Sequence, residues 1–226
     1  LLFIVATPIG NLEDISLRAL STLKNVDYIL CEDTRRTKKL LFHYEIDTKT
    51  FSFHGFNEKQ KEDMIISDLC KGKKIALVSD AGMPTISDPG SMLIQRCKKE
   101  KINVTCIPGP SSIITALALS GSPTTPFQFL GFFPKKPGEI AKAIDKASLF
   151  SGSSIFFESP HRLLKTLKKL PETFSVSIAK ELTKIHETVL EGSPATLYQK
   201  LEKSSIRGEY VLLLRVAENS DDVIYS

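Results

Sequence analysis

Two kinds of apolar spacing alternate along the first 120 residues. Short continuous apolar runs predict buried strands over 2–6, 28–31, 75–79 and 104–107, with a shorter one over 51–53. Between them, three- and four-residue spacing predicts helices. Leu17, Leu20 and Leu23 lie three apart, and Thr34 is placed to cap a helix reaching about His43. Residues 58–70 carry the i,i+4 pairs Ile65/Leu69 and Ile66/Cys70. A further helix ends near Lys98-Lys99-Glu100-Lys101, and another covers 111–120. Strands buried on both faces and alternating with helices predict a mostly parallel sheet covered by helices. In such a sheet the loops after the strands form the binding crevice.

The grammar changes after Gly121-Ser122-Pro123-Thr124-Thr125-Pro126, where a glycine and two prolines resist any regular element. This linker divides the chain into domains 1–120 and 121–226. Strands are expected over 127–132, 154–157, 175–180, 185–190 and 210–216, and helices over 139–149 and 161–170. The strands at 175–180 and 185–190 are too close for a parallel crossover and are expected to pair antiparallel. Ser193-Pro194 reads as an N-cap with proline at the first helical position. The second domain is therefore α/β with a mixed sheet, and the tail after Ala217, with Asp221-Asp222, is expected to fray.

Composition adds bounds and little direction. At 226 residues, 42% hydrophobic and 25% charged, the chain can bury a core without disulfides or a structural metal. Residues 1–120 hold 16 basic and 14 acidic side chains and residues 121–226 hold 14 and 12, so each half carries +2 and neither is a basic arm. That charge permits a nucleic-acid partner without demanding one. No apolar run approaches the ~20 residues that span a bilayer, and residues 1–6 read as a strand and not as a signal peptide. Cys31, Cys70, Cys97 and Cys106 are spaced far apart in apolar surroundings, which predicts buried free thiols in a reducing compartment.

The chemistry lies in polar, turn-forming stretches that follow strands. They are VATPIGNLED (5–14), CEDTRRTKKLL (31–41), VSDAGMPTISDPG (78–90), IPGPSS (107–112) and FFESPHR (156–162), the last followed by AKELTKIHE (179–187). None is a dinucleotide fingerprint, a P-loop or a zinc-protease motif, and no His/Cys/carboxylate cluster stands at metal spacing. The third stretch carries the most loop chemistry. Asp80, at a strand end, is placed to accept hydrogen bonds from a ligand, whereas Asp88 reads as the cap of the next helix.

These stretches, in this order and spacing, resemble the ribosomal RNA small-subunit methyltransferase I family of the tetrapyrrole (corrin/porphyrin) methylase superfamily. The resemblance runs from Leu1 to about Val216. It implies two α/β domains with the cofactor S-adenosyl-L-methionine in the cleft between them, the first with a mostly parallel sheet and the second with a mixed one. It also implies a cytoplasmic homodimer that methylates the ribose 2′-oxygen of a cytidine in the decoding region of small-subunit ribosomal RNA, in the assembled 30S subunit. Carried over by position, the cofactor contacts are Pro8, Asp80, Met83, Ser111, Ser112, Glu158 and Thr183. The first loop lacks the extra glycines of the tetrapyrrole enzymes, and Val78-Ser79-Asp80 stands in place of their Gly-Gly-Asp.

Transfer to a hydroxyl needs a group that takes its proton or steadies the oxyanion. The candidates are Glu32 and Asp33, adjacent carboxylates where like charge raises one pKa, and Glu158 with Lys180. Each has a plainer reading. Glu32 and Asp33 suit a helix N-terminus, Glu158 can pair with Arg162, and Lys180 can pair with Glu181. For RNA, Arg35 and Arg36 begin a basic run that includes Lys38 and Lys39, beside the weaker Lys135, Lys136 and Lys184; the run is equally a solvated face. His54 and Phe56 suit base stacking or a core. His161 and Arg162 follow the FFESP turn, where His161 can also be a helix cap. Two rival functions share these residues: a small-molecule tetrapyrrole methylase, and a non-catalytic ribosome-assembly factor.

Overall fold

A computed structural model describes residues 1–217, so the Asp221-Asp222 tail lies outside the described residues. The chain divides into two compact units after Ser111. The division precedes the 121–126 linker because the helix after Ser111 packs on the last strand of the second unit.

In the first unit, β1 (Leu2–Val5), β2 (Tyr28–Cys31), β3 (Thr50–Ser52), β4 (Ile75–Val78) and β5 (Val104–Ile107) form an all-parallel sheet in the order β3-β2-β4-β1-β5. The helices between them are α1 (Leu17–Asn25), α2 (Thr34–His43), α3 (Glu58–Cys70) and α4 (Ser91–Lys99). Strand side chains alternate between two cores, as the pleat requires. Leu2, Ile4, Leu30, Ile75 and Leu77 pack with Ile65 and Leu69 of α3 and Leu93 and Cys97 of α4. Val5, Ile29, Cys31, Ala76 and Val78 pack with Ala19 and Leu23 of α1 and Leu41 of α2. The chain thus moves outward from β1 to β3 with helices on one face, then returns through β4 to β5 with helices on the other. Where the direction reverses, the carboxyl ends of β1 and β4 lie side by side and their following helices leave to opposite faces. A crevice opens at such a point.

The second unit holds α5 (Ser112–Leu119), β6 (Phe127–Phe132), α6 (Pro137–Ser148), β7 (Ser153–Glu158), α7 (Leu163–Leu167), β8 (Phe174–Lys180), β9 (Thr188–Gly192), α8 (Pro194–Leu201) and β10 (Tyr210–Val216). Its sheet order is β6-β7-β10-β8-β9, with only β6 and β7 parallel. Glu158, Tyr210 and Lys180 are direct cross-strand partners, so they share one sheet face at the strand ends. Phe156, Ile178 and Leu212 on that face meet Ile140 of α6, Leu163 and Leu167 of α7, and Leu197 and Leu201 of α8.

Several local expectations are corrected. Asp33, not Thr34, caps α2 through a bond to the Arg35 amide. Leu17 is 85% exposed and drops out of the predicted apolar face of α1, which buries Ala19 and Leu23 with Leu20 packed beside them. The helix expected over 161–170 is only Leu163–Leu167. The strand expected from 185 begins at Thr188, because Glu181 and Thr183 take φ values of 50° and 64° and turn the chain first. All four cysteines are free, but only Cys31 and Cys97 are buried; Cys70 and Cys106 are exposed.

Candidate active site

The crevice of the first unit is made by three loops tied to one another. Thr7 and Gly82 exchange both backbone hydrogen bonds, at 2.9 and 3.1 Å, which fastens the loop after β1 to the loop after β4. Thr7 Oγ1 donates to the Ser79 carbonyl, and Ser79 Oγ donates to the Gly82 carbonyl. Gly82 has φ +80°, and a Cβ there would stand 3.2 Å from Ile9 Cγ2, so the close approach of the two loops needs glycine.

The loop after β4 leaves the crevice under equal constraint. Gly90 has φ +121°, and a Cβ there would come within 2.4 Å of Leu77 Cδ2. Buried Glu58, on the first turn of α3, accepts from the amides of Gly90 and Leu93 at 3.2 and 3.4 Å. It therefore satisfies the start of α4 from outside that helix. The expectation that Asp88 caps α4 is corrected: the N-cap is Gly90, and no side chain bonds the helix from that position. Between these anchors, Thr85 and Ser87 both hold φ +73°, a conformation that costs non-glycine residues energy and collects at functional sites.

The second loop joins through Asp80. Its Oδ1 accepts from the Asp33 amide at 3.0 Å, and its Oδ2 lies 3.6 Å from the Arg36 guanidinium. Thr7, Pro8, Ser79, Asp80, Arg36 and Lys39 are among the residues around a cavity of about 170 Å³. Asp33 accepts from the Arg35 amide at 2.8 Å and forks with its guanidinium at 2.8 and 3.1 Å. That fork holds the Asp33 carboxyl down at about 2, the opposite of the rise expected from two adjacent carboxylates. The raised carboxyl is Asp88. Burial, then the charges of Glu32 and Asp80, push it up to about 6. Sequence reasoning assigned Asp88 a structural task, because the burial and the two neighbouring charges that raise its pKa come from the fold.

The remaining candidates up to Ser112, the first residue of the second unit, divide. Met83 is half-buried against the Leu77 core, with its Sδ 3.8 Å from the Cys106 thiol. Ser111 and Ser112 are half-buried after the Pro108-Gly109-Pro110 turn. His54 faces the exposed Phe56 edge-on, with ring centroids 6.0 Å apart. Its Nε2 lies 3.1 Å from Asn57 Nδ2, while its buried Nδ1 has no hydrogen-bond partner.

In the second unit the candidate charges are bonded internally. Glu158 has no exposed side-chain surface. Its Oε1 meets Arg162 at 2.6 Å and the Ser159 amide at 2.6 Å, and its Oε2 accepts from Thr166. Arg162 also donates to the Phe133 carbonyl at 3.0 Å. The plainer reading of Glu158 with Arg162 is therefore realised. His161 is exposed, and the residue at the cap position of α7 is Arg162. Lys180 does not pair with Glu181; its ammonium lies 5.9 Å from the Tyr210 ring centroid. Glu181 instead accepts from Lys184 at 2.9 Å and from the Glu209 amide, and Lys184 also reaches Glu209 at 3.0 Å. The Thr183 amide donates to Glu187. Among the described residues no group of His, Cys, Asp and Glu is placed to hold a metal ion, and no helix is long and apolar enough to cross a membrane.

Residues 1–198 match the family model for tetrapyrrole (corrin/porphyrin) methylases. The chain is 48% identical over 219 residues to ribosomal RNA small subunit methyltransferase I of a Hydrogenobaculum species, covering 94% of each chain. It is 46% identical over 216 residues to the same-named protein of Halalkalibacterium halodurans, covering 94% of this chain and 75% of that one. Among solved structures, it resembles diphthine synthase with a TM-score of 0.71 at 13% identity, covering 95% of this chain and 89% of that chain. It also resembles cobalt precorrin-4 methyltransferase, a cobalamin biosynthetic enzyme, with a TM-score of 0.68 at 18% identity, covering 95% and 94%. At that identity the likeness concerns the fold. The tied loops of the first unit, the mixed second sheet and the close relatives agree that this chain belongs to the ribosomal RNA small subunit methyltransferase I family within the tetrapyrrole methylases.

Proposed function

We propose that this protein transfers a methyl group from S-adenosyl-L-methionine to the ribose 2′-oxygen of a cytidine in the decoding region of small-subunit ribosomal RNA. It acts as a homodimer in the cytoplasm, on the assembled 30S subunit. The observation that carries this reading is the crevice at the carboxyl ends of β1 and β4, where Asp80 faces the cationic helix α2 across one cavity. A methyl donor and an RNA strand need those two surfaces side by side.

The residues fit the cofactor on chemical grounds. Asp80 offers a partly exposed carboxylate on a loop pinned to Thr7, the kind of acceptor that ribose hydroxyls or an amino group seek. We assign Pro8, Asp80, Met83, Ser111 and Ser112 to its contacts; Glu158, closed off by Arg162, Ser159 and Thr166, has no face left for the cofactor. When bound, the cofactor supplies a sulfonium methyl, and the protein's part is to orient and to manage the proton.

We take Glu32 and Asp88 as the candidate acceptors of the 2′-hydroxyl proton, because their charges lie close enough to act on one another. Asp88, pushed up to about 6, suits that task, since a base whose pKa lies near the working pH transfers protons most effectively. The Asp33 carboxylate, ionised and forked to Arg35, caps α2, while its backbone amide holds Asp80 in place. Glu158 positions the Ser159–Arg162 turn, and Lys180 presents a cation able to steady the developing oxyanion. Arg35 and Arg36 meet RNA phosphates, with His54, His161, Arg162 and Lys184 at the edges of the footprint.

Incubating the protein with labelled S-adenosylmethionine and undermodified small subunits, then mapping the label, tests the reading. Label on one cytidine 2′-oxygen is the expected result. Transfer to a tetrapyrrole, or binding of subunits without transfer, would replace it with one of the rival functions.

A further inference from the structure

A second concave surface lies on the far flank of α2. It is a groove of about 490 Å³ lined by Lys38, Leu41, Phe42, Lys49, Thr50 and Phe51, among others. The helix separates it from the crevice. Arg36, Lys39 and Leu40 face the cavity shared with Asp80, whereas Lys38, Leu41 and Phe42, at i, i+3 and i+4, face the groove.

The groove's lining is unusual for a surface that only meets water. Phe42 is 87% exposed at the end of a cationic helix, and Phe51 is 43% exposed on the edge strand β3. Leu41 and Ile46 close the floor at 3% and 7% exposure. Lys38, Lys39 and Lys49 make no ion pair among the described residues, whereas Arg35 is already forked to Asp33 and Arg36 leans on Asp80. The unneutralised cations therefore lie on the ridge and in the groove, and Asp47 is the one acidic residue of the groove lining. Exposed aromatic faces between unpaired lysines are what a single-stranded nucleic acid needs: a ring for a base to stack on and ammonium groups for the phosphates on either side.

We propose that this groove holds an unpaired nucleotide of the substrate RNA next to the one being modified. Its base stacks on Phe42, its phosphates meet Lys38 and Lys49, and the strand crosses α2 into the crevice. The inference rests on the RNA-methylating function proposed above. It adds a stacking site outside the crevice, so part of the substrate's recognition comes from a nucleotide that is not methylated.

The test is fluorescence anisotropy of a labelled, mixed-sequence single-stranded RNA oligonucleotide with the whole protein, over a salt series. Phe42→Ala is expected to weaken binding roughly 5- to 150-fold, the effect of losing one base–aromatic stack, and Phe42→Trp to restore it while Phe42→Leu does not. Lys38→Ala with Lys49→Ala is expected to lower the slope of log affinity against log salt by about 0.7 for each phosphate deprived of its ammonium partner. Both variants should keep wild-type calorimetric affinity for S-adenosylmethionine. Wild-type RNA affinity in Phe42→Ala, or equal rescue by Phe42→Leu, overturns the stacking site. A shift from dimer to monomer in Phe42→Ala, seen by light scattering, overturns it too, because a second copy of the chain would then cover the groove. Failure of wild-type protein to bind or methylate RNA would instead sink the functional reading beneath it.

Discussion

Charged residues follow strands in both units, but the two units use them differently. In the first, the loops are fixed mainly by backbone bonds and glycine, with one buried carboxylate set back from the crevice: Thr7 to Gly82, Gly90 against Leu77, and Glu58 to the start of α4. Side chains at the crevice are then spared for a ligand. Asp80 is partly exposed, Asp88 is half-buried, and Lys39 has no ion-pair partner among the described residues. In the second, the loops are held by the charges themselves. Glu158 gathers Arg162, Ser159 and Thr166, and Glu181 and Lys184 lock to Glu209. A charge after a strand marks a site only when something else holds the loop.

Removing a holding charge should therefore hurt stability, and removing a spared one should hurt binding. The largest effect is expected for Glu158→Ala. It leaves Arg162 partly buried without its partner, and urea unfolding should show a loss of about 3–5 kcal/mol. A loss below about 1 kcal/mol would place Glu158 among the spared groups and return it to direct contact with the cofactor.

Asp88→Asn should do the reverse. The folded-state pKa of Asp88, about 6, stands above the ordinary 3.8, so the native state keeps this proton longer than the unfolded chain does. The native state is penalised increasingly from about pH 4 to about pH 6, and the full penalty applies above that. Removing the charge should stabilise the protein at pH 7.5 by up to about 3 kcal/mol, change little at pH 4, and slow methyl transfer. Equal stability of variant and wild type at both pH values would show that Asp88 is fully solvated.

Asp80→Ala should weaken calorimetric binding of S-adenosylmethionine by about 1–3 kcal/mol, the usual cost of removing a partner from a partly buried polar group. Unchanged affinity would move the cofactor away from this loop. The smallest effect concerns Asp33, a holding charge within the first unit. Its pKa is depressed, so its contribution is present above about pH 4 and is lost as pH falls through about 2. Carboxyl titration by NMR should give a midpoint near 2, returning toward the ordinary value in Arg35→Ala. A normal midpoint in the wild-type chain would mean that the fork is open in solution.

Much of the fold was legible in the order of residues. Strands β2, β6 and β10 and helix α3 begin and end where apolar spacing places them, and the short connection between β8 and β9 predicts their antiparallel pairing. Such features depend on neighbours within a few positions, which a linear pattern records. The polar loops after β1, β2, β4, β5 and β7 were legible for the same reason, because glycine, proline and aspartate carry their turn preferences with them.

Which charges are free was settled by the fold. Asp33 and Arg35 stand two residues apart, but whether they fork or point away depends on the turn into α2. Glu58 lies 32 positions from Gly90 and becomes its partner only because α3 and α4 cover the same face of the sheet. Asp88 acquires its raised pKa from burial, and then from the charges of Glu32 and Asp80, brought near by neighbouring parallel strands. The groove beside Phe42 exists because β3 is the sheet's edge. Residue order alone was enough for most of the elements, the loops rich in chemistry and the family. How each charge is spent came from the folded arrangement, because electrostatic and hydrogen-bond energies depend on distances across the molecule, and sequence separation says nothing about those distances.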